Sequence, residues 1–227
     1  MDATKKTTRK SGSKASDDRN QRIQKAYMEY LLTNGVRPVS VYKFCLDAGF
    51  TEQEFYDQFG SFESLERSIW KDFIDKTTGR LQADEAFAGF TAREKILAFY
   101  FTLLEELRSH RSFILLEAHT LRRLEITPAF LKDFKTAFES FIESILAEGK
   151  SKGEVATRPL LDKRYPQLFW LHLGFVLQFW KEDGSAGFEK TDAVIEKSVN
   201  LAFDLIGKGA VDSALDFAKF MYQSKFN

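Results

Sequence analysis

The stretch from Ser40 to Trp70, SVYKFCLDAGFTEQEFYDQFGSFESLERSIW, constrains the fold more than any other part of this chain. Ser40 can cap a short helix that carries Val41, Phe44 and Cys45 inward, and Gly49 ends it in a backbone conformation that a side chain resists. Thr51 with Glu54 forms a capping box for a third short helix, with Phe55 and Phe59 facing in. Ser61, after Gly60, caps a fourth and much longer helix through Leu65, Ile69, Phe73 and Leu81. Closely spaced starts and stops of this kind leave room only for short helices ahead of that long one.

The same helical period continues on both sides. Asp17 and Asp18 suit the positive end of a first helix through Ile23, Ala26, Tyr27, Tyr30 and Leu31, which Asn34-Gly35 stops. Ahead of it, Met1 to Ser16 holds five bases against Asp2 and reads as a basic leader without a core of its own, or as an arm that touches nucleic-acid phosphates. Thr91 and Glu94 open a helix through Leu107, and Arg111–Leu124 is a shorter one. Thr127-Pro128 begins another, which carries an aromatic stripe of Phe130, Phe134, Phe138 and Phe141 on the core side. Tyr165–Trp180 is apolar around nearly its whole circumference, so it must be covered on more than one side. Thr191–Ile206 is amphipathic, and Val211–Tyr222 has helical spacing. No internal repeat and no strand pattern is present. Glycine (13) and proline (4) are scarce, which favours long helices over turn-rich sheets. The expected fold is all-α, with about nine helices: a three-helix N-terminal domain and a larger C-terminal bundle.

Function classes narrow by elimination. The single Cys45 excludes an intramolecular disulfide and a multi-cysteine metal site, and it suits a reducing cytosol. Met1 to Asp18 lacks the apolar run of a signal peptide, and Tyr165–Trp180 is too short and too polar for a membrane span. There is no Gly-rich phosphate loop, G-x-S-x-G or H-E-x-x-H. His110, His119 and His172 are far apart in sequence, and adjacent carboxylates such as Glu105-Glu106 do not face one another on a helix. No catalytic residue, metal site or cofactor is expected, so the chain reads as a non-enzyme of the cytoplasm. The formal net charge is zero, so any attraction to nucleic acid must be local.

A short helix, a Gly49 turn and a Thr51-capped second helix meet the requirements of a DNA major-groove reader. Thr51, Glu52 and Gln53 stand where side chains meet base edges: Gln53 suits adenine and Glu52 the amino group of cytosine. Ser40, Tyr42, Lys43 and Tyr56 can hold phosphates and fix register, and Arg22 adds positive charge from the first helix. In the body, Phe101, Phe113, His119, Phe138, Trp170 and Phe175 are the candidate lining of a pocket for a small apolar or aromatic ligand, although aromatic residues at this density also make ordinary core.

The residues from Ile23 to Trp70 resemble the tetracycline-repressor (TetR) family of bacterial regulators. The resemblance is carried by Ser40-Val41, Ala48-Gly49-Phe50, Phe55-Tyr56 with Phe59, and the Gly60-Ser61-x-Glu63-x-Leu65 start of the fourth helix. It implies a homodimer that binds double-stranded operator DNA, most often as a repressor, and yields to a small effector held in the helical body. It also implies that Pro166–Trp180 and Thr191–Ile206 pair with their copies in a four-helix interface. The corresponding layout is a disordered basic leader at 1–17, a helix-turn-helix domain of the DNA-binding type at 18–66, and a helical ligand-binding and dimerisation domain at 67–227. The chain departs from the family in two places. Phe62 stands where members usually carry a lysine, and Thr51 to Glu66 holds five acids and no base. The alternative is therefore a TetR-fold interaction module that has given up DNA and meets a basic partner through its acidic helix.

Overall fold

The computed structural model describes residues 5–120, 127–159, 161–207 and 209, with the side chains of 5–17 and 118–120 outside that description. Every regular element among the described residues is helical. The α-helices are α1 (Lys5–Asn34), α2 (Val41–Ala48), α3 (Glu52–Tyr56), α4 (Phe62–Ala83), α5 (Ala92–Arg108), α6 (Arg111–Thr120), α7 (Lys132–Ser151), α8 (Tyr165–Glu182) and α9 (Glu189–Ile206). Short 3-10 turns occupy Glu85–Gly89, Ala129–Leu131, Asp162–Arg164 and Ala186–Phe188. The all-α expectation is met. α1 does not open at Asp17 but continues back to Lys5, because no proline interrupts the lysine- and alanine-containing leader. The expected Val211–Tyr222 segment and the end of the helix expected over Arg111–Leu124 lie outside the described residues.

The chain divides into two compact units, Met1–Asp72 with Ser109–Phe134, and Phe73–Arg108 with Lys135–Asn227. The division falls inside α4 and α7, and α6 groups with the N-terminal helices.

In the N-terminal unit the starts of α2, α3 and α4 are the ones the sequence encodes. The Lys43 amide donates to Ser40 Oγ at 3.1 Å. Gly49 adopts a φ of 74°, the left-handed conformation that stops α2. In the capping box the Glu54 amide donates to Thr51 Oγ1 at 3.1 Å, and the Thr51 amide to Glu54 Oε2 at 2.9 Å. Ile23, Tyr27, Leu31, Phe44, Phe55, Phe59, Leu65 and Ile69 are buried and hold α1–α4 together. The ring of Phe62 completes this core: it stacks on Tyr27 with centroids 5.4 Å apart and meets Phe55 and Phe44 at 5.6 and 5.7 Å. Trp70 packs on Phe113, Phe130 and Phe134, and Arg67 grips Asp133 with two nitrogens at 2.7 and 3.0 Å.

In the C-terminal unit α5 packs along α9, and α8 packs beside α9. The Thr91–Glu94 capping box is formed. α5 and α7 approach so closely that a Cβ on Gly149 would sit 2.7 Å from the Cβ of Ala92. Lys95, buried at this seam, pairs with Glu148 at 2.6 Å and lies over the Phe87 ring. α8 buries Phe169, Trp170, Leu173, Val176 and Trp180, but Leu168, Leu171 and Phe175 remain more than half exposed. An apolar circumference thus leaves an uncovered ridge on the single chain. α9 adds Leu201 and Leu205, also more than half exposed.

Candidate functional site

The surface of α2 and α3 is the first candidate. Of the residues expected to meet DNA, Ser40 and Thr51 have their hydroxyls engaged in the caps of their own helices. Lys43 Nζ lies 2.5 Å from Asp47, one turn further along α2, which raises its pKa through the hydrogen bond and the charge of that carboxylate. Arg22 is exposed and its guanidinium lies 5.6 Å from the centre of the Phe50 ring. Tyr42, Glu52, Gln53 and Tyr56 are exposed, and Tyr56 rests edge-on against Phe55.

The acids of this region do not act alike. Glu54 closes the capping box, whose hydrogen bonds from the Thr51 amide and hydroxyl lower its pKa. Glu66 is fully buried, where its carboxylate accepts from the Tyr27 hydroxyl at 2.5 Å and from Arg37. Only Glu52, Asp57 and Glu63 of the five are exposed. Around them Val39, Tyr42, Leu46 and Tyr56 present apolar surface.

Sequence reasoning missed the network around Glu66. Burial pushes the Glu66 carboxyl up, against the hydrogen bonds and charge of Tyr27 and Arg37. On α6 Glu117 is 5% exposed, and its pKa rises from 4.5 to about 7, chiefly through burial and secondly through the charge of Glu66, with Arg37 opposing. The signal was available: Glu66 interrupts the apolar run Phe62, Leu65, Ile69, Trp70, and Glu117 lies one turn beyond Phe113 and Ile114. A charged residue on a core-facing stripe must find partners.

The six expected pocket residues fall in different places. Phe113 is in the N-terminal unit, buried against Trp70. Phe138 and Trp170 touch each other at 5.8 Å in the C-terminal unit, where Phe99 also meets Phe138. Phe175 is 53% exposed on the α8 ridge. Phe101, 40% exposed, lines a surface cleft with Leu104, Trp180 and Phe188. The side chain of His119 is outside the described residues. His172 is half-buried and bridges three helices: its Nδ1 is 2.6 Å from the Tyr100 hydroxyl on α5 and its Nε2 2.8 Å from Ser198 Oγ on α9. Burial lowers its pKa, so near neutral pH the ring is uncharged, accepts from Tyr100 and donates to Ser198.

Over residues 95–221, more than half of the chain, the sequence matches the family model described as tetracyclin repressor-like, C-terminal domain. The chain belongs to the TetR family. The TetR match begins beyond α4, so α2 and α3 lie outside it. Two solved structures are similar to this TetR-family protein. One is a protein with unknown function from Rhodococcus sp. RHA1, 13% identical, covering 84% of this chain and 96% of that one with a TM-score of 0.54. The other is a proposed tetR family transcription regulator from Shewanella sp. PV-4, 15% identical, covering 82% and 95% with a TM-score of 0.49. No curated protein matches the chain. No helix among the described residues is long and apolar enough to cross a membrane.

Proposed function

We propose that this TetR-family chain is a cytoplasmic, homodimeric transcription regulator, acting as a repressor, that binds double-stranded operator DNA and responds to a small apolar or aromatic effector. The observation that carries the reading is the capped α2–Gly49–α3 pair, which leaves Glu52 and Gln53 exposed at the start of a short helix and Tyr56 exposed at its end. Gln53 would read a base edge, Tyr42 and Tyr56 would reach phosphates, and the engaged hydroxyls of Ser40 and Thr51 would hold the helix starts rather than the DNA. Arg22 supplies the nearby positive charge. In this reading residues 18–66 bind DNA, the leader 1–17 adds phosphate contacts, and 67–227 houses the effector and the dimer.

The dimer rests on the ridge of Leu168, Leu171 and Phe175 on α8 with Leu201 and Leu205 on α9. A copy related by two-fold symmetry would bury all five at once and place two reader helices on successive turns of DNA. Effector binding would favour a dimer with a different spacing of those helices, so that only one of the two states fits the major grooves. The test is binding of genomic fragments across a salt series. Affinity that falls steeply with salt, and sequence preference that a Gln53→Ala variant relaxes, are the expected results. A folded dimer with no DNA affinity at low salt would refute the reading.

A second reading has its own support. Phe62 is a core residue of the reader unit, Lys43 is paired to Asp47, and Val39, Tyr42, Leu46 and Tyr56 expose apolar surface among Glu52, Asp57 and Glu63. Such a face suits a basic protein partner better than a phosphate chain, and the same salt series decides between the two.

A further inference from the structure

The C-terminal unit contains a cleft of about 190 Å³ that none of the packing above fills. It is walled by Phe101 and Leu104 from α5, Trp180 from α8, and Phe188 from the turn before α9. An apolar cavity of about 150 Å³ accommodates benzene, so this volume suits one aromatic ring with a few further atoms.

The wall at Phe188 is built at a cost. Gly187 and Phe188 are consecutive residues with positive φ, 64° and 66°, and Phe188 is the only described residue other than glycine in that conformation. A bulky side chain there is strained, and residues held so tend to cluster at ligand clamps. Here the strain sets the Phe188 ring 5.9 Å from Trp180, and the Arg108 guanidinium lies 5.4 Å from the centre of the same ring.

The charges at the cleft are unequally engaged. Glu105 is paired with Arg80 at 2.9 Å. Arg108 on α5 and Asp192 in the first turn of α9 both line the cleft, are exposed, and make no ion pair among the described residues. One helix therefore offers a cation without an ion-pair partner among the described residues and another such an anion, in a cleft that aromatic rings also line. An arginine in this position matches a carboxylate through two parallel hydrogen bonds, and a carboxylate matches an ammonium.

We propose that this cleft binds a zwitterionic aromatic small molecule of the aromatic amino-acid class. The ring lies among Phe101, Trp180 and Phe188, the carboxylate on Arg108 and the ammonium on Asp192. The inference deepens the effector reading above by naming a site and a ligand class, and its test does not depend on DNA.

Full-length protein is titrated calorimetrically with L-phenylalanine, L-tyrosine and L-tryptophan, and with phenylacetate and phenethylamine, which each lack one of the two charges. The change in tryptophan fluorescence on binding, compared between the parent and a Trp180→Phe variant so that the signal of Trp180 is separated from those of Trp70 and Trp170, gives a second readout for ligands other than tryptophan. At least one of the amino acids binds saturably, and the single-charge analogues bind about tenfold more weakly or worse, the loss expected for one charge-assisted contact. Arg108→Gln weakens the amino acid and phenylacetate but leaves phenethylamine unchanged, whereas Asp192→Asn weakens the amino acid and phenethylamine but leaves phenylacetate unchanged. Both positions are exposed, so the variants keep the fold, which circular dichroism verifies. Absence of saturable binding by all three amino acids overturns the proposal, as does binding that neither variant alters. DNA affinity measured in the same samples separates the two readings. Binding with the expected variant pattern supports the cleft even where DNA affinity is absent, and a DNA-binding protein that takes none of these ligands refutes the cleft alone.

Discussion

Glu117 gives the sharpest test of the buried network in the N-terminal unit. Its carboxyl is 5% exposed and its pKa rises from 4.5 to about 7, first through burial and then through the charge of Glu66. The fold therefore holds the proton of Glu117 more tightly than the unfolded chain does. Stability from this group is greatest below pH 4.5, declines as pH rises through the window from 4.5 to about 7, and is gone above it. At about 1.36 kcal/mol per pH unit, that window corresponds to about 3 kcal/mol. Glu117→Gln keeps the shape and fixes the group in a neutral form. In urea unfolding at one protein concentration, the variant should exceed the parent by about 2–3 kcal/mol at pH 8 and differ from it by less than about 1 kcal/mol at pH 5. In the parent background, Glu66→Gln alone should also shrink the pH dependence, because the like charge that helps to raise Glu117 is then absent. A Glu117→Gln variant no more stable than the parent at pH 8, or offset from it equally at both pH values, would refute the reasoning.

Other residues carry tests of the same kind. Gly149→Ala would drive a methyl to 2.7 Å from the Cβ of Ala92 and 3.0 Å from Val155, so a thermal melt should show a loss of about 1–3 kcal/mol. Phe62→Lys removes ring contacts with Tyr27, Phe44 and Phe55 and should cost about 1–3 kcal/mol in urea unfolding; an unchanged midpoint would mean that the ring is not part of the core. Leu171→Glu, on the exposed α8 ridge, should leave the helical signal intact but convert a dimer to monomer in analytical ultracentrifugation. A dimer that survives the charge would place the interface elsewhere.

The sequence made the helix boundaries legible wherever a boundary is chemical. Ser40, Thr51 with Glu54, Ser61, and Thr91 with Glu94 each satisfy amides that the first turn of a helix leaves open, and that need does not depend on what the helix later packs against. Gly49 is legible for the same reason, since its φ of 74° is a local requirement. The 3.6-residue period likewise identified the buried residues of the reader unit. It could not say which of several buried rings touch, because a period gives a face and not a neighbour. Phe113 and Phe138 both lie on apolar faces, yet they fall in different compact units. The strained Phe188 was out of reach for a related reason: nothing in the letters Ser-Ala-Gly-Phe-Glu requires a second left-handed residue after Gly187.

The acids of the reader unit show how far burial alters a charge argument. Five carboxylates from Thr51 to Glu66 look like a single repulsive surface when read as a string, but a string assigns every charge to solvent. Glu54 is consumed by its own helix start, and Glu66 is enclosed with Tyr27 and Arg37. The exposed acidic set is thereby reduced to Glu52, Asp57 and Glu63. The cations are reduced as well, since Lys43 answers Asp47 and Arg37 answers Glu66. What remains is a face of tyrosines and leucine among those three acids, with little positive charge to answer them. Binding to DNA through such a face must draw its charged phosphate contacts from α1, where Arg22 stands exposed, and a variant lacking Arg22 should lose affinity for all sequences alike and shorten the salt slope by about one. A salt slope unchanged by Arg22→Ala, measured on the same fragment, would exclude Arg22 as a source of those contacts.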